Sequence, residues 1–539
     1  MALERLISLV GLLSLLGLAW LMSDNKSKIR PRIIIWGLGL QLLFALIVLG
    51  EQSHSLVGMF VLHSMILLFI FTEEMAQYGG VARQAMVGAV IVVASGLMVA
   101  LSSWLDVPGI SVPVLVVSAL VIGWGFYAKS SRLRRISIAM FLSVGFGIMA
   151  SRQIYGKIIF ESLSSKVDSF LRLTDFGSGF LFGNLIKAEY AQQFGFQFAF
   201  SVLPTIIFFA AFMSILYYLG VIQVVVQVMA RFMRWTLGTS GAETLSCTSN
   251  VFVGQTEAPL LIKPFLSDMT VSELATVMVG GFATIAGGVL AGYIRMGVDP
   301  GHLIAASVMS APAALVMGKI IYPETTHSKT AGDVEIPKVK TASNLLEATS
   351  TGITDGLKLA VNVGAMLLGF IALVALLDVI FNYADSLIDG RLLGGVWVKT
   401  GENPFSPVKG EYSGIFPGSL KTLFGNALRY VAFVMGTPWK DTVEVGNLLG
   451  LKLAVNEFVA YGTLGNHISA GTLSPRSVVI STYALCGFAN FASIGIQIGG
   501  IGALAPNRRK DLARVGLKAM FGGALASWMT ATIAGFLIQ

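Results

Sequence analysis

Apolar stretches of about 18 to 25 residues recur from one end of this chain to the other, each long enough to cross the roughly 30 Å hydrocarbon layer of a bilayer. Of 539 residues, 55% carry hydrophobic side chains and only 12% are charged, against roughly 25% charged in a soluble domain. No soluble domain of ordinary size is left over. The fold expected is an all-α polytopic membrane protein. The first stretch, LISLVGLLSLLGLAWLM, is long, lacks a small-residue cleavage site and runs directly into a second span. It is therefore expected to be a retained helix, not a signal peptide.

Spans are expected near 4–22, 33–50, 56–73, 84–105, 110–128, 135–151, 197–219, 271–294, 302–321, 358–382, 475–500 and 511–537. Two further apolar regions, 241–267 and 442–470, are interrupted at their centres by polar residues. They are expected to be re-entrant hairpins. Lys and Arg are retained on the cytoplasmic side of a bilayer. Lys26, Lys28, Arg30 and Arg32, then Lys129, Arg132, Arg134 and Arg135, then Arg231 and Arg234, and finally Arg508, Arg509, Lys510 and Arg514 all fall inside if both termini are outside. That layout requires each hairpin to enter and leave on one face, the first from the cytoplasm and the second from outside.

The formal charge of +8 resides in these short connections, not in a basic stripe interleaved with aromatics, so a nucleic-acid partner is not expected. Cys247 and Cys486 are the only cysteines, and the five histidines form no pair at helical spacing. A disulfide framework and a metal centre of those residues are both disfavoured.

The segment KIIFESLSSKVDSFLRL, 157–173, places Ile159, Leu163, Val167, Phe170 and Leu171 on one helical face, as in a helix lying in the membrane interface. VIQVVVQVMARFMRW, 221–235, has the same character. The expected organisation is then as follows: N-terminal helices over 1–151, including an apparent four-helix insertion; interfacial helices and a scaffold span over 152–240; a first hairpin and transport repeat over 241–321; a cytoplasmic loop and scaffold helix over 322–388; an external loop over 389–441; and a second hairpin, broken helix and last span over 442–539.

An internal repeat marks the centre of this plan. The span at 271–294 contains GFATIAG from Gly281, and that at 475–500 contains GFANFAS from Gly487. Each follows an interrupted hairpin holding a glutamate, Glu257 in GQTEAP and Glu457 in NEFVAY. A carboxylate amid apolar sequence costs several kcal/mol unless it is paired or reached by water. Two such units entering from opposite faces form an inverted repeat, the plan by which secondary transporters build one midplane site from broken helices. Small residues around each break permit close helix approach. Asn490 and Ser493 share a face, where they serve as interhelical hydrogen-bonding groups or as ligand contacts, and Thr284 and Ser240 read the same two ways.

The stretches GTSGAETLSCTSNVFVGQTEAPLLIKPFL, MVGGFATIAGGVLAGY, LAVNEFVAY and LCGFANFASIGIQIGGIGALAP resemble the concentrative nucleoside transporters, with similarity over about 155–539. The resemblance implies an inverted repeat of re-entrant hairpin plus broken helix, an elevator-type carrier, and a homotrimer in the cell membrane, the inner membrane in a bacterium. It implies that Gln255 and Thr256 meet the nucleobase, with Glu257 nearby through water, that Val289 and Phe488 pack on the base, and that Glu457, Asn490 and Ser493 hold the ribose hydroxyls. A carboxylate suits paired hydroxyl donors independently of the resemblance. Asn250, Val253, Thr284 and Ile285 are implied as sodium ligands, sodium being the coupling ion with no other cofactor. The QTE form resembles sodium-coupled members. The four spans from 56 to 151 depart from the compact bacterial pattern, and the resemblance assigns them no role.

Three functions follow for comparison: a sodium-coupled nucleoside importer, a proton-coupled nucleoside symporter working through Glu257 or Glu457, and an intramembrane enzyme using the two glutamates as acid and base. The enzyme lacks an accompanying histidine, metal motif or activated nucleophile, so transport is the expected function.

Overall fold

The computed structural model describes residues 2–78, 80–104, 111–127, 131–187, 190, 197–332, 334, 342–399 and 406–538. Ten of its helices are long and apolar enough to cross a membrane. The expected span near 110–128 is the 17-residue helix Ser111–Tyr127, and that at 475–500 is two helices with a break between them. The chain forms two compact units, residues 42–163 and residues 1–41 with 164–539.

The helices in chain order are α1 (Ala2–Leu21), α2 (Pro31–Leu49), α3 (Gln52–Ile70), α4 (Val81–Trp104), α5 (Ser111–Tyr127), α6 (Ser131–Ser151) and α7 (Gly156–Leu171). Within the unit 42–163, α3, α4 and α5 each pack on α6. Polar residues link three of them: His63 Nε2 lies 2.8 Å from Ser95 Oγ and 3.2 Å from Ser143 Oγ. Hydrogen bonds of this kind fix helix rotation where lipid supplies no hydrophobic drive.

In the larger unit follow α8 (Leu203–Tyr218), α9 (Val221–Leu237), α10 (Gly241–Ser249), α11 (Ala258–Leu261), α12 (Val271–Ala283), α13 (Gly287–Arg295), α14 (Pro300–Ile321) and α15 (Leu345–Asp385). After a two-stranded hairpin, β1 (Trp397–Lys399) with β2 (Gly410–Tyr412), come α16 (Leu420–Val434), α17 (Thr442–Ala454), α18 (Glu457–Ala470), α19 (Pro475–Leu485), α20 (Phe491–Leu504) and α21 (Arg509–Leu537).

Burial separates core from periphery in this unit. The apolar windows of Val271–Arg295 and Pro300–Ile321 are 89% buried and that of Pro506–Leu537 is 83%, against 17% for Leu345–Leu392. The long α15 therefore presents its sides outward and uses one narrow stripe to pack on α8. Gly352 and Gly356 form that stripe: a Cβ at either would lie 2.8 Å or less from α8 atoms, including the Ala211 and Ile207 Cα atoms. This is the small-xxx-small spacing that lets helix backbones touch.

Helix α15 begins 13 residues before the apolar run expected to span. Its start is set by Asn344, whose side chain accepts from the Glu347 N–H at 2.9 Å, a capping signal that hydropathy does not register. The stretch expected to be an external loop over 389–441 contains the β-hairpin and α16. Buried Asp385 and Asp389 organise it by accepting the Tyr412 and Phe416 backbone N–H groups at 2.7 and 2.8 Å.

Candidate functional site

Both expected hairpins are present, and each is followed by a helix that breaks. In the first, α10 ends at Ser249, the chain turns through 250–257, and α11 follows. Helix α12 then stops at Ala283 and resumes as α13 at Gly287. In the second, α17 ends at Ala454 and α18 begins at Glu457, with only Val455 and Asn456 between. Helix α19 stops at Leu485 and resumes as α20 at Phe491. GFATIAG and GFANFAS thus mark the two breaks.

A break inside a membrane frees backbone groups that water cannot reach, so each must find a partner. Polar caps supply the new helix starts: Asn456 Oδ1 accepts from Val459 N at 2.9 Å and Asn490 Oδ1 from Ser493 N at 2.8 Å. Around the first break, the Phe252 carbonyl accepts from Gly287 N at 3.3 Å and the Val251 carbonyl from Ser307 Oγ at 3.2 Å. At the second, Lys452 Nζ donates to the Ala484 carbonyl at 2.9 Å, Ser527 Oγ to the Cys486 carbonyl at 2.6 Å, and Tyr461 OH to the Thr482 carbonyl at 2.8 Å. Lys452 is fully buried, and its charge sits at a helix C-terminus, where the dipole favours a cation.

The polar residues of the two repeats meet. Tyr293 OH of α13 donates to Glu457 Oε1 at 3.3 Å, and Asn490 Nδ2 donates to Glu457 Oε2 at 3.2 Å. Gln255 Nε2 of the first hairpin tip donates to Ser493 Oγ at 3.3 Å. Gln497 Nε2 of α20 donates back to Gln255 Oε1 at 3.0 Å and to the Met278 carbonyl at 3.2 Å. Gln255, Glu457, Asn490 and Ser493 are all buried. The Glu457 carboxylate stands at the N-terminus of α18, whose dipole favours a negative charge.

Val289 is buried on α13, and Phe488 lies half-buried in the second break. Thr256 and Glu257 are exposed. Glu257 Oε2 accepts from its own turn's Gly254 N at 2.8 Å, and the Thr256 methyl lies beside Gly500 of α20. Tyr293 stacks on Tyr461, with ring centroids 4.2 Å apart, and meets Phe458 edge-on at 4.8 Å.

A second group of oxygens lies between the first hairpin tip and the first break. Asn250 ends α10 and Thr284 ends α12, both buried. Thr284 Oγ1 donates to the Gly280 carbonyl at 2.8 Å, and Asn250 Nδ2 donates to Ser246 O at 3.1 Å and lies beside the same Gly280. Asn250 Oδ1 is buried without a hydrogen-bond partner among the described residues. Ile285 is buried and Val253 half-buried in the adjoining backbone.

Gln497, Tyr293 and Lys452 were not singled out in the sequence. Gln497 shares the helical face of Asn490 and Ser493 at i+7 and i+4, and Tyr293 follows Val289 by four residues, so spacing held the signal in both cases. Lys452 carries no such spacing signal.

Residues 302–535 match the family described as Na+ dependent nucleoside transporter C-terminus, residues 199–299 the nucleoside recognition Gate family, and residues 10–72 the Na+ dependent nucleoside transporter N-terminus. The chain is 39% identical over 425 residues to the uncharacterized transporter YutK of Bacillus subtilis, an alignment taking in 78% of this chain and 98% of that one. It is 40% identical over 418 residues to sodium/nucleoside cotransporter 1 of Rattus norvegicus, covering 75% of this chain and 60% of that one. The solved structure of CNTnw in an inward-facing substrate-bound state matches with a TM-score of 0.71 and 30% identity, covering 99% of this chain and 98% of that one. A variant of CNTnw in an outward-facing state matches with a TM-score of 0.72 at 30% identity, covering 100% and 98%. The paired hairpins and breaks, the family matches and these relatives agree: the chain is a multi-pass membrane protein that belongs to the sodium-dependent, or concentrative, nucleoside transporter family.

Proposed function

We propose that this protein imports nucleosides by symport with sodium, and that one nucleoside binds where the two breaks and two hairpin tips meet. The observation that carries the reading is the buried polar cluster of Gln255, Ser493, Gln497, Asn490, Glu457 and Tyr293, in which the Gln255–Ser493, Tyr293–Glu457 and Gln497–Gln255 bonds cross from one repeat to the other. Burying so many polar groups without a functional return is costly. A ligand entering the cluster exchanges protein hydrogen bonds for its own: ribose hydroxyls donate to Glu457 in place of Asn490 and Tyr293, and a base edge takes up the Gln255 amide in place of Ser493. Thr256 and Glu257 flank the base, Glu257 through water, and Val289 and Phe488 supply apolar surface against it.

Sodium is the second cargo. Hard oxygen ligands suit it, and the Asn250 amide oxygen, the Thr284 hydroxyl and the backbone carbonyls of Val253 and Ile285 offer a neutral oxygen set. The coupling follows from placement, because the tip that carries Gln255 also carries Asn250 and Val253. Sodium at the first break orders that tip and pre-organises the base contacts, which raises nucleoside affinity, and by linkage the nucleoside raises sodium affinity to the same degree. Relatives solved in inward-facing, intermediate and outward-facing states accord with alternating access, and the buried core of α12, α13, α14 and α21 provides a rigid body to move elevator-fashion within a trimeric scaffold.

Uptake of radiolabelled uridine and adenosine into proteoliposomes tests the reading, with sodium and proton gradients imposed separately. Accumulation driven by sodium alone is the expected result. Accumulation driven by protons alone, without sodium, would assign the coupling to the proton, and chemically altered substrate would assign an enzyme.

A further inference from the structure

Amide side chains present a donor on one side and an acceptor on the other, so a glutamine that reads a base edge is ambiguous until something fixes which way it faces. The cluster around Gln255 contains what fixes it. The Met278 carbonyl can only accept, so the group of Gln497 lying 3.2 Å from it is the amide nitrogen. The remaining N–H of that nitrogen reaches Gln255 at 3.0 Å and requires an acceptor there, which is Oε1. The nitrogen of Gln255 is thereby turned the other way, toward Ser493 at 3.3 Å and the substrate position. Orientation passes in this way from a helix backbone, through one buried amide, to the amide that meets the ligand.

Two further observations show that the pair is built and not incidental. Gln497 is fully buried on α20, and its amide is held through the nitrogen alone, both N–H groups being taken up by Gln255 and Met278 while Oε1 has no partner among the described residues. Gly281 opens the space for it: a Cβ at that position would lie 2.7 Å from Gln497 Nε2 and 3.0 Å from Gln255 Cβ. The first residue of GFATIAG is thus a glycine because two glutamines cross over it.

We infer that Gln497 is a positioning residue for base recognition, holding Gln255 so that it offers only N–H donors to the nucleobase and the site selects bases by a hydrogen-bond acceptor. This rests on the proposed reading of Gln255 as a base contact. The chemical class read at this position is an oxo group or an unprotonated ring nitrogen, groups that both pyrimidine and purine nucleosides possess. Breadth across the two ring classes follows, with intolerance of analogues in which the one contacted acceptor is missing.

The experiment measures sodium-driven uptake in proteoliposomes for uridine and adenosine and for deaza and deoxo analogues that each delete one acceptor at constant ribose. In the parent, one deletion in each base class raises KM about tenfold, the loss of one hydrogen bond, while deletion of exocyclic donors has little effect. Gln497→Met keeps the volume and removes the orienting N–H groups, so the Gln255 amide turns freely and the difference between acceptor and donor deletions shrinks to about twofold or less. A structural defect alone would raise KM for all analogues alike. Gly281→Ala displaces the same amide without deleting it and shifts the ratio in the same direction, which keeps the test open if the methionine variant does not fold. Gln255→Ala abolishes the discrimination altogether. Parent-like discrimination in Gln497→Met or Gly281→Ala, with Gln255→Ala still abolishing it, overturns the role of Gln497 and leaves the base contact standing. Unchanged discrimination in Gln255→Ala removes the base contact itself, and the inference falls with it.

Discussion

Gly487, in the second helix break, lies so close to Phe282, just before the first, that a Cβ at 487 would sit 2.5 Å from the Phe282 carbonyl oxygen. Its φ of +135° is open to glycine and strained for other residues. The breaks therefore cross in direct backbone contact, beside which Tyr293 and Asn490 both come within hydrogen-bonding distance of Glu457.

Gly487→Ala is expected to push the breaks apart at a cost of about 1 to 3 kcal/mol for overpacking, with added backbone strain. Thermal unfolding in detergent should show the loss, and nucleoside affinity should fall with it. Parent-like stability together with parent-like affinity would mean that the two breaks are free to separate.

Thr284→Ala removes one hydroxyl oxygen from the group formed with Asn250 while leaving the Gly280 carbonyl in its helix. Sodium half-activation of uptake should move to several-fold higher concentration, and nucleoside KM at saturating sodium should change little. An unaltered sodium activation curve would reduce Thr284 to a helix-end hydroxyl.

Asp441 ties the start of the second hairpin to the start of α19, accepting from Ser474 Oγ and Ser477 Oγ at 2.6 Å each and from Ser474 N at 3.1 Å. Burial opposes its ionisation, but the hydrogen bonds from Ser474 and Ser477 and the charge of Lys440 outweigh that and hold its carboxyl below the usual carboxylate range. A carboxyl depressed in the folded state adds stability that is complete above its unfolded value of about 4 and is lost as pH falls through the folded value. Asp441→Asn should therefore be less stable than the parent at pH 7, by about 1 to 3 kcal/mol, with the gap closing in acid. A gap that stays constant from pH 7 to pH 3 would contradict the charge-assisted tie.

The hairpins were legible because Glu257 and Glu457 interrupt apolar sequence, and the breaks because GFATIAG and GFANFAS repeat around small residues. Asn490 bonds both to Glu457 and to the Ser493 backbone N–H; spacing pairs Asn490 with Ser493, and only the family resemblance groups them with Glu457. Spacing places Gln497 on the face of Asn490 and Ser493, but it does not name the amide's partners, which are the distant Gln255 and Met278. The β-hairpin and α16 escaped for a related reason. Their order comes from Asp385 and Asp389 accepting backbone N–H groups 27 residues further along the chain and from Glu411 accepting the Thr422 hydroxyl, and neither hydropathy nor periodicity carries that information.

In the proposed site a ribose sits on Glu457 at the meeting of the two repeats. A four-way comparison of parent and Glu457→Gln, each with a nucleoside and its 2′,3′-dideoxy analogue, tests it most directly, because the cycle isolates the coupling between carboxylate and sugar hydroxyls. Glu457→Gln keeps the shape but loses charge assistance, and should cost about 1.5 to 3 kcal/mol in nucleoside binding, roughly ten- to a hundredfold in affinity. The dideoxy analogue should bind the parent poorly and lose much less on mutation, giving an interaction energy above about 1 kcal/mol. An interaction energy near zero would remove Glu457 from the sugar and contradict the site.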